Sequence, residues 1–140
     1  MLVRLVLSVA AGLCLWLAFP THDLWWTAYV GIGALALATA GVGARRGLVL
    51  GLAAGLAYFV PLLSWTGIFV GSLPWLALAV LEALYIAGLG AVCGYLQRDG
   101  VRPLVVALAW VVAELARSTT PFGGFPWGRV AFSQADAPLL

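Results

Sequence analysis

The sequence predicts an all-α protein: a polytopic membrane helix bundle of about five transmembrane helices, followed by an outer-face loop or re-entrant segment. Three observations predict this class. Of the 140 residues, 64% are hydrophobic and only 9% are charged, whereas about a quarter of the residues in an average soluble domain are charged. The mean hydropathy is +1.09. The apolar residues also fall into about five runs, each near the roughly 20 residues that a membrane-crossing helix needs.

Short turns with proline, glycine or arginine separate the five runs. The predicted spans cover residues 2–19, 24–42, 47–70, 74–96 and 103–118, which leaves 119–140 as a segment on the outer face. Arg4 followed by an apolar run superficially resembles a signal peptide. No small residue precedes Cys14 as a lipoprotein signal would require, so the first run is predicted to be a retained span.

Arginine placement predicts the orientation of these spans. All seven basic residues are arginine. If the chain crosses the membrane at each predicted span, five of them lie on one face: Arg4, Arg45, Arg46, Arg98 and Arg102. Because positively charged loops stay in the cytoplasm, we expect a cytoplasmic N-terminus and residues 121–140 on the outer face. The net charge of +2 gives no indication of nucleic-acid binding.

Both cysteines, Cys14 and Cys93, lie in apolar runs and are predicted to be small buried hydrophobes. Neither has the neighbouring base that a thiol nucleophile needs. With His22 as the single histidine, the sequence offers too few ligands for a metal site, and no cofactor is predicted.

The first outer turn reads FPTHDLWW. Pro20 ends the first helix because it has no backbone N–H. Asp23 is predicted to be the N-cap of the second span, and Trp25 and Trp26 suit the membrane–water boundary. The alternative is that His22 and Asp23 form an acid–base pair.

Glycines at spacings of four mark the third and fourth spans. Gly47, Gly51 and Gly55 share one helix face, and Gly90 and Gly94 repeat the spacing, so close helix packing is predicted. Pro61 should kink the third span and leave a cavity beside it. The side chains expected around that cavity are Tyr58, Phe59, Ser64 and Trp65.

Two acidic residues fall inside spans, where an unpaired charge is costly. Glu114 is predicted to pair with Arg117 one helical turn away. Glu82 has no local cation, and Tyr85 one turn on is its expected hydrogen-bond donor. The alternative is a proton relay, for which Glu114 is the one candidate partner of Glu82.

The terminal stretch, PFGGFPWGRVAFSQADAPLL, breaks the apolar pattern. Phe125, Pro126 and Trp127 form a stiff aromatic knuckle suited to the lipid boundary, and Arg129 is predicted to meet a lipid phosphate. Ser133 and Gln134 add polar groups. Asp136 and Pro138 resemble the start of another helix, so the chain is expected to be a fragment cut as that element begins.

Three motifs carry a family resemblance: FPTHDLWW, AELARS and GGFPWGRVAFSQADAPL. In them the chain resembles the N-terminal membrane portion of bacterial apolipoprotein N-acyltransferases. The resemblance implies transfer of an acyl chain from a phospholipid to the N-terminal cysteine of lipoproteins, at the outer face of the inner membrane. It also implies a nitrilase-like catalytic domain, and, in some actinobacteria, a fused or paired polyprenol-phosphate mannose synthase.

The resemblance carries no catalytic residue onto this chain. The family's Glu-Lys-Cys set lies in the nitrilase-like domain, no motif here matches it, and the chain has no lysine. Ala131–Phe132 stand where the family often has Gly-Tyr, so a hydroxyl is missing there. The expected contribution is a membrane anchor and a lipid-facing rim at residues 121–134, inactive in isolation.

Three other functions are compatible with the residues. A transporter or channel subunit would use Glu82 and Glu114 as a relay and the Pro61 kink as a gate, although the chain lacks an obvious internal repeat. A structural scaffold would only bind a partner enzyme. A hydrolase would use Ser133, His22 and Asp136, although no nucleophile-turn motif surrounds Ser133.

Overall fold

Six α-helices and one short 3-10 helix follow one another in the part of the chain that the structure describes. The computed structural model describes residues 1–135, 137 and 138. The helices are α1 (Leu2–Leu17), α2 (Thr27–Thr39), α3 (Ala44–Leu62), α4 (Ser64–Val70), α5 (Ser72–Leu96) and α6 (Pro103–Thr119), and the 3-10 helix is Val130–Gln134. These described residues contain no strand, which confirms the predicted all-α class.

The helix predicted over 47–70 is broken. It begins earlier, at Ala44, ends at Leu62, and is followed by the seven-residue α4. Pro61 explains the break, because a proline ring clashes with the preceding turn and supplies no N–H. The indole Nε1 of Trp75 on α5 donates a hydrogen bond to the carbonyl of Val60 at 3.0 Å, so an acceptor beside the break is satisfied.

Glycine allows α3 and α5 to pack backbone against backbone. A Cβ at Gly47 would meet the carbonyl of Gly90, one at Gly51 would meet that of Ile86, and one at Gly55 would meet the backbone of Ala83. The predicted use of these glycines for close packing is confirmed. This pair forms the centre of the bundle, with α1 against α3 and α6 against α5.

Polar contacts join the helix ends and turns that carry arginine at one end of the bundle. The guanidinium of Arg4 donates to the carbonyls of Ala38 and Ala40, at the end of α2. The fully buried Gln97 donates to the Thr39 hydroxyl at 3.2 Å and accepts from the backbone N–H of Arg102 at 3.0 Å. The first turns of α1 and α3 and the turn between α5 and α6 therefore share this end, and they carry Arg4, Arg45, Arg46, Arg98 and Arg102.

Among the described helices, two are long and apolar enough to cross a membrane by length and composition, α3 with 19 residues and α5 with 25. The bundle also exposes large apolar side chains on its outside. Those at least 70% exposed include Leu2, Val3, Ile68, Phe69, Leu73 and Leu104. An apolar exterior of this kind is typical of a surface that meets lipid or another protein.

Candidate functional site

A buried arginine at the end of α6 organises the opposite end of the bundle. Arg117 is 1% exposed, and its Nη1 donates a hydrogen bond to Oε2 of Glu82 on α5 at 3.0 Å. The Glu82 side chain is also 1% exposed. The guanidinium carbon lies 5.2 Å from the centre of the Phe59 ring, within reach of a cation–π interaction. The ion pair joins α5 to α6 inside the protein.

The same guanidinium holds the backbone of the terminal stretch. It donates to the carbonyls of Trp127 at 2.7 Å and Gly128 at 2.6 Å. The carbonyl of Phe125, at 3.3 Å, is a weaker acceptor, since Nη1 shares its two hydrogens among three acceptors. The Tyr58 hydroxyl donates to the Gly128 carbonyl as well, at 2.7 Å. We call Arg117, Glu82, Tyr58 and these three carbonyls the Arg117 cluster. Charge-assisted hydrogen bonds are the strongest class, so the cluster fixes the path of residues 125–128.

Gly128 lies against Tyr58, Phe59 and Leu62, which precede and follow Pro61 in the chain, in the region where a cavity was expected. Its φ is +73°, which favours glycine. A Cβ there would overlap Leu62 and crowd Phe59. Tyr58 and Phe59 are buried, whereas Ser64 and Trp65 are exposed, so these four side chains do not enclose a common pocket.

The predicted Glu114–Arg117 pair is wrong. Oε1 of Glu114 instead accepts a hydrogen bond from the backbone N–H of Val130 at 2.7 Å. Val130 opens the 3-10 helix, where the first N–H groups have no partner within the helix. The arginine turns inward because Glu82 and three carbonyls offer it more acceptors than Glu114 does.

The expected Tyr85–Glu82 hydrogen bond is also absent from the described residues. The Tyr85 hydroxyl donates to the Thr120 carbonyl at 2.8 Å and lies 2.9 Å from its hydroxyl. Glu82 and Glu114 are each engaged by a different partner, and no hydrogen bond joins them. The contacts of the described residues therefore form no carboxylate relay.

Arg129, predicted to meet a lipid phosphate, is partly buried and bound within the protein. Its Nε donates to the Ser118 hydroxyl at 2.8 Å, and that hydroxyl donates to the Glu114 carbonyl at 2.5 Å. Contact between Arg129 and a lipid phosphate stays a prediction. It would involve the Nη atoms, because Nε is already bonded to Ser118.

Ser133 and Gln134 join the terminal stretch to the first outer turn. The amide of Gln134 donates to the carbonyl of Trp25 at 3.1 Å and to the Ser133 hydroxyl at 2.9 Å. That hydroxyl in turn donates to the Val130 carbonyl at 2.7 Å. Asp136, the third residue of the alternative hydrolase and a predicted helix start, lies outside the described residues. No contact between Ser133 and His22 appears among the described residues.

The predicted N-cap role of Asp23 is wrong. Helix α2 begins at Thr27, four residues later, and has no side-chain cap. Residues 24–27 form an extra turn, in which the Thr27 hydroxyl donates to the Leu24 carbonyl at 2.6 Å. Asp23 has φ of +52° within the preceding turn. His22 shares a hydrogen bond with the Thr21 hydroxyl at 3.0 Å rather than with Asp23.

The aromatic knuckle presents one face to the exterior. Trp127 is 47% exposed and packs edge-on against Trp65, with ring centres 5.9 Å apart. Phe125 packs against the hydrophobic core, and Pro126 is exposed. A cavity of about 140 Å³ lies between the knuckle and the first outer turn, lined by Phe19, Pro20, Trp127, Gly128 and Phe132.

Comparison with known proteins identifies the family. Residues 11–140 match the model of the apolipoprotein N-acyltransferase N-terminal domain. The chain belongs to the apolipoprotein N-acyltransferase family. A relative from Mycolicibacterium smegmatis is 44% identical over 89 residues, covering 61% of this chain and 15% of the relative. A relative from Geobacter metallireducens is 33% identical over 147 residues, covering 96% and 28%. A relative from Vibrio parahaemolyticus is 29% identical over 151 residues, covering 99% and 30%.

The chain spans less than a third of the length of each of these apolipoprotein N-acyltransferases. Within the family's N-terminal domain, the structure brings together Glu82, Glu114, Arg117 and residues 125–134, and it leaves Asp23 apart. Sequence reasoning missed Ser118 and Gln97, because a lone hydroxyl or amide at the end of an apolar run carries no local signal of its partner. Tyr58 was noticed only as a neighbour of Pro61.

Proposed function

We propose that this chain is the N-terminal transmembrane domain of an apolipoprotein N-acyltransferase. The complete enzyme would transfer an acyl chain from a phospholipid to the N-terminal cysteine of lipoproteins. The family match over residues 11–140 supports this proposal. The catalytic Glu-Lys-Cys set would lie in a nitrilase-like domain outside these 140 residues. The chain itself would supply the anchor and a lipid-facing rim, and would be inactive alone.

The observation that carries the proposal is the way the Arg117 cluster fixes the terminal stretch. A guanidinium bound to three carbonyls leaves little freedom to the backbone of residues 125–128. Trp127 stands half exposed on this rigid base, beside the apolar cavity. Acyl chains are recognised by apolar surfaces held in a fixed shape. Each side chain of the Arg117 cluster makes at least one hydrogen bond within the protein, although Oε1 of Glu82 is buried without a partner. These contacts support a role in positioning a lipid.

The two ends of the bundle support a proposed orientation in the membrane. One end of the bundle carries Arg4, Arg45, Arg46, Arg98 and Arg102, and under the positive-inside rule this end would be cytoplasmic. The first outer turn and the terminal stretch share the other end through the Gln134–Trp25 hydrogen bond. We therefore propose a multi-pass protein of the bacterial inner membrane, with its N-terminus in the cytoplasm and the Arg117 cluster towards the outer face.

A chimera tests the proposed role. In the chimera, this chain would replace the matching region of the Mycolicibacterium smegmatis relative. The measurement is the transfer of an acyl chain from purified phospholipid to a lipopeptide acceptor. We expect acylation by the chimera and none by the 140-residue chain alone. Trp127→Ala should reduce acylation by the chimera while its membrane assembly stays intact, and Trp26→Ala, an exposed tryptophan of the first outer turn, is the matched control.

Two results would contradict the proposal. Acyl transfer by the isolated chain would show that the catalytic residues lie within these 140 residues. The Trp127→Ala chimera could instead assemble poorly while each assembled molecule acylates at the unaltered rate. That result would favour a structural scaffold. Co-purification with a polyprenol-phosphate mannose synthase is the corresponding test of the partner that the resemblance implies for an actinobacterial source.

A further inference from the structure

A long apolar groove runs between α5 and α6, from Tyr85 and Ala116 near the Arg117 cluster to Leu96 and Val105 at the other end of the bundle. Its volume is about 490 Å³, and its walls include Leu84, Gly88, Val92 and Leu96 on α5 and Val105 and Val112 on α6. The large side chains here are strongly exposed, with Leu84 at 53% and Val112 at 65%. A Cβ at Gly88 would meet no atom within 4 Å, so the groove is open above that residue.

The length of the groove matches one leaflet of a bilayer. Leu84 and Leu96 are twelve residues apart on one helix, which corresponds to about 18 Å at 1.5 Å per residue. The hydrocarbon core of a bilayer is about 30 Å thick, so one leaflet is about 15 Å deep. A single extended acyl chain therefore fits along the groove.

Two arginines stand at one end of the groove, in the turn between α5 and α6. Arg98 lies over the ring of Tyr95 at 4.3 Å, and helical spacing puts Tyr95 on the same face of α5 as Gly88 and Val92. Arg98 makes no ion pair within the described residues. Arg102 is the N-cap residue of α6, one turn before Val105.

Asp99, the acidic residue of this turn, does not prevent Arg102 from binding another anion. Asp99 pairs with Arg102 at 3.2 Å, and the two side chains are 84% and 52% exposed. Exposed ion pairs of this kind contribute little free energy and exchange readily. The turn thus keeps a net positive charge of one from Arg98, Asp99 and Arg102, and the N-terminus of α6 adds the positive end of its helix dipole.

We propose that the α5–α6 groove binds one acyl chain of an anionic phospholipid, whose phosphate is held by Arg98 and Arg102. The proposal is independent of acyl transfer, since Arg98 and Arg102, which would hold the phosphate, lie at the end of the bundle opposite the Arg117 cluster. A phospholipid supplies both an apolar chain for the groove and an anion for the turn. A packed helix would cover the groove but would leave Arg98 without an anion.

Native mass spectrometry of the purified 140-residue chain tests this proposal. The chain would be offered dioleoyl phosphatidylglycerol or dioleoyl phosphatidylcholine, which differ only in headgroup. We expect phosphatidylglycerol to be retained at least fivefold better. Arg98→Gln and Arg102→Gln should each lower its retention by about fivefold, as expected for one basic group near a lipid surface.

The matched control is Arg45→Gln/Arg46→Gln, which removes two charges from the same end of the bundle but away from the groove. We expect it to retain phosphatidylglycerol as the unaltered chain does. An equal loss in this control would mean that general surface charge attracts the lipid, and would overturn the proposal. Equal retention of the two lipids by the unaltered chain would do the same.

Gly88→Leu tests the acyl-chain part of the site. The new side chain enters open space and leucine favours helix, so the variant should keep its helical content by circular dichroism. It should lose retention of both lipids because it fills the groove. Undiminished retention, or a change only in the dimer fraction of the chain, would place the lipid elsewhere and overturn the proposal.

Discussion

Nη1 of Arg117 on α6 lies 3.0 Å from Oε2 of Glu82 on α5, and each side chain is 1% exposed. The pair differs from an isolated buried ion pair because the guanidinium also serves the carbonyls of Phe125, Trp127 and Gly128. One side chain therefore joins two helices to the terminal stretch.

Removing the cation should be costly. Arg117→Met leaves Glu82 buried without its partner, and breaking a buried pair in this way costs about 3–5 kcal/mol. The free energy of unfolding would be measured by far-UV circular dichroism in a titration with SDS. Arg102→Met, at an exposed pair, is the control, and we expect it to change stability by less than about 1 kcal/mol.

Replacing both members of the pair should not restore stability. In many proteins an apolar substitute for a buried ion pair is neutral or stabilising. Here Glu82→Met/Arg117→Met still removes a donor from three carbonyls. The Gly128 carbonyl keeps the Tyr58 hydroxyl, but those of Phe125 and Trp127 are orphaned, each at a cost of about 1–3 kcal/mol. Recovery of full stability in the double variant would show that these carbonyls find other donors.

Loss of the Glu114 carboxylate should loosen the 3-10 helix. Glu114→Ala removes the acceptor for the Val130 N–H, and losing a capping acceptor costs about 1 kcal/mol. Hydrogen exchange at the Val130 amide should accelerate about fivefold, whereas Glu114→Gln, which keeps an acceptor oxygen, should show a smaller change. Equal exchange in the alanine variant and the unaltered chain would contradict this role.

The α3–α5 contact should not tolerate a side chain. Gly51→Leu forces a side chain against the backbone of Ile86 and Ala87, and overpacking of this kind costs about 1–3 kcal/mol or more. Gly33→Leu is the matched control, since a Cβ there meets no atom within 4 Å. If the two variants unfold at the same SDS concentration, the close approach of α3 and α5 is wrong.

The Tyr58 hydroxyl should contribute separately from the arginine. Tyr58→Phe keeps the ring but removes the donor to the Gly128 carbonyl, with an expected loss of about 1 kcal/mol. Tyr29→Phe changes a tyrosine that is 60% exposed and should have no effect on unfolding. Because Arg117 also binds the Gly128 carbonyl, the effect of Tyr58→Phe should grow when Arg117 is replaced.

The approximate positions of most helices and the glycine contact were predictable from the sequence because both depend on local spacing, whereas the predicted span 47–70 is divided into α3 and α4. Apolar runs set the helices, and Gly47, Gly51 and Gly55 lie four residues apart on one face. The Arg117 cluster was not predictable. Its ion pair joins residues 35 positions apart, and no local pattern shows how α5 and α6 are placed. Helical spacing favoured the nearer Glu114 as the partner of Arg117, but in the structure Glu114 accepts a hydrogen bond from the Val130 N–H.

The error at Asp23 has a different cause. A short polar residue after a proline suits an N-cap, but the same residues also form an extra turn before the helix. The choice between them depends on where α2 packs, and Gln134, 109 residues away from Trp25, is one of the contacts that fix this turn. Predictions from neighbouring residues fail where distant contacts decide the local conformation.

The acceptors of Arg117 lie 8, 10 and 11 residues after it in the chain. The arginine therefore leaves the ribosome before the carbonyls that neutralise its burial, and Glu82 alone leaves the guanidinium incompletely satisfied. We expect α6 to reach its final position only once Gly128 has been synthesised and has settled beside Leu62. Biogenesis of this domain would then have a late step, in which the insertion of a helix and the docking of a loop are completed together.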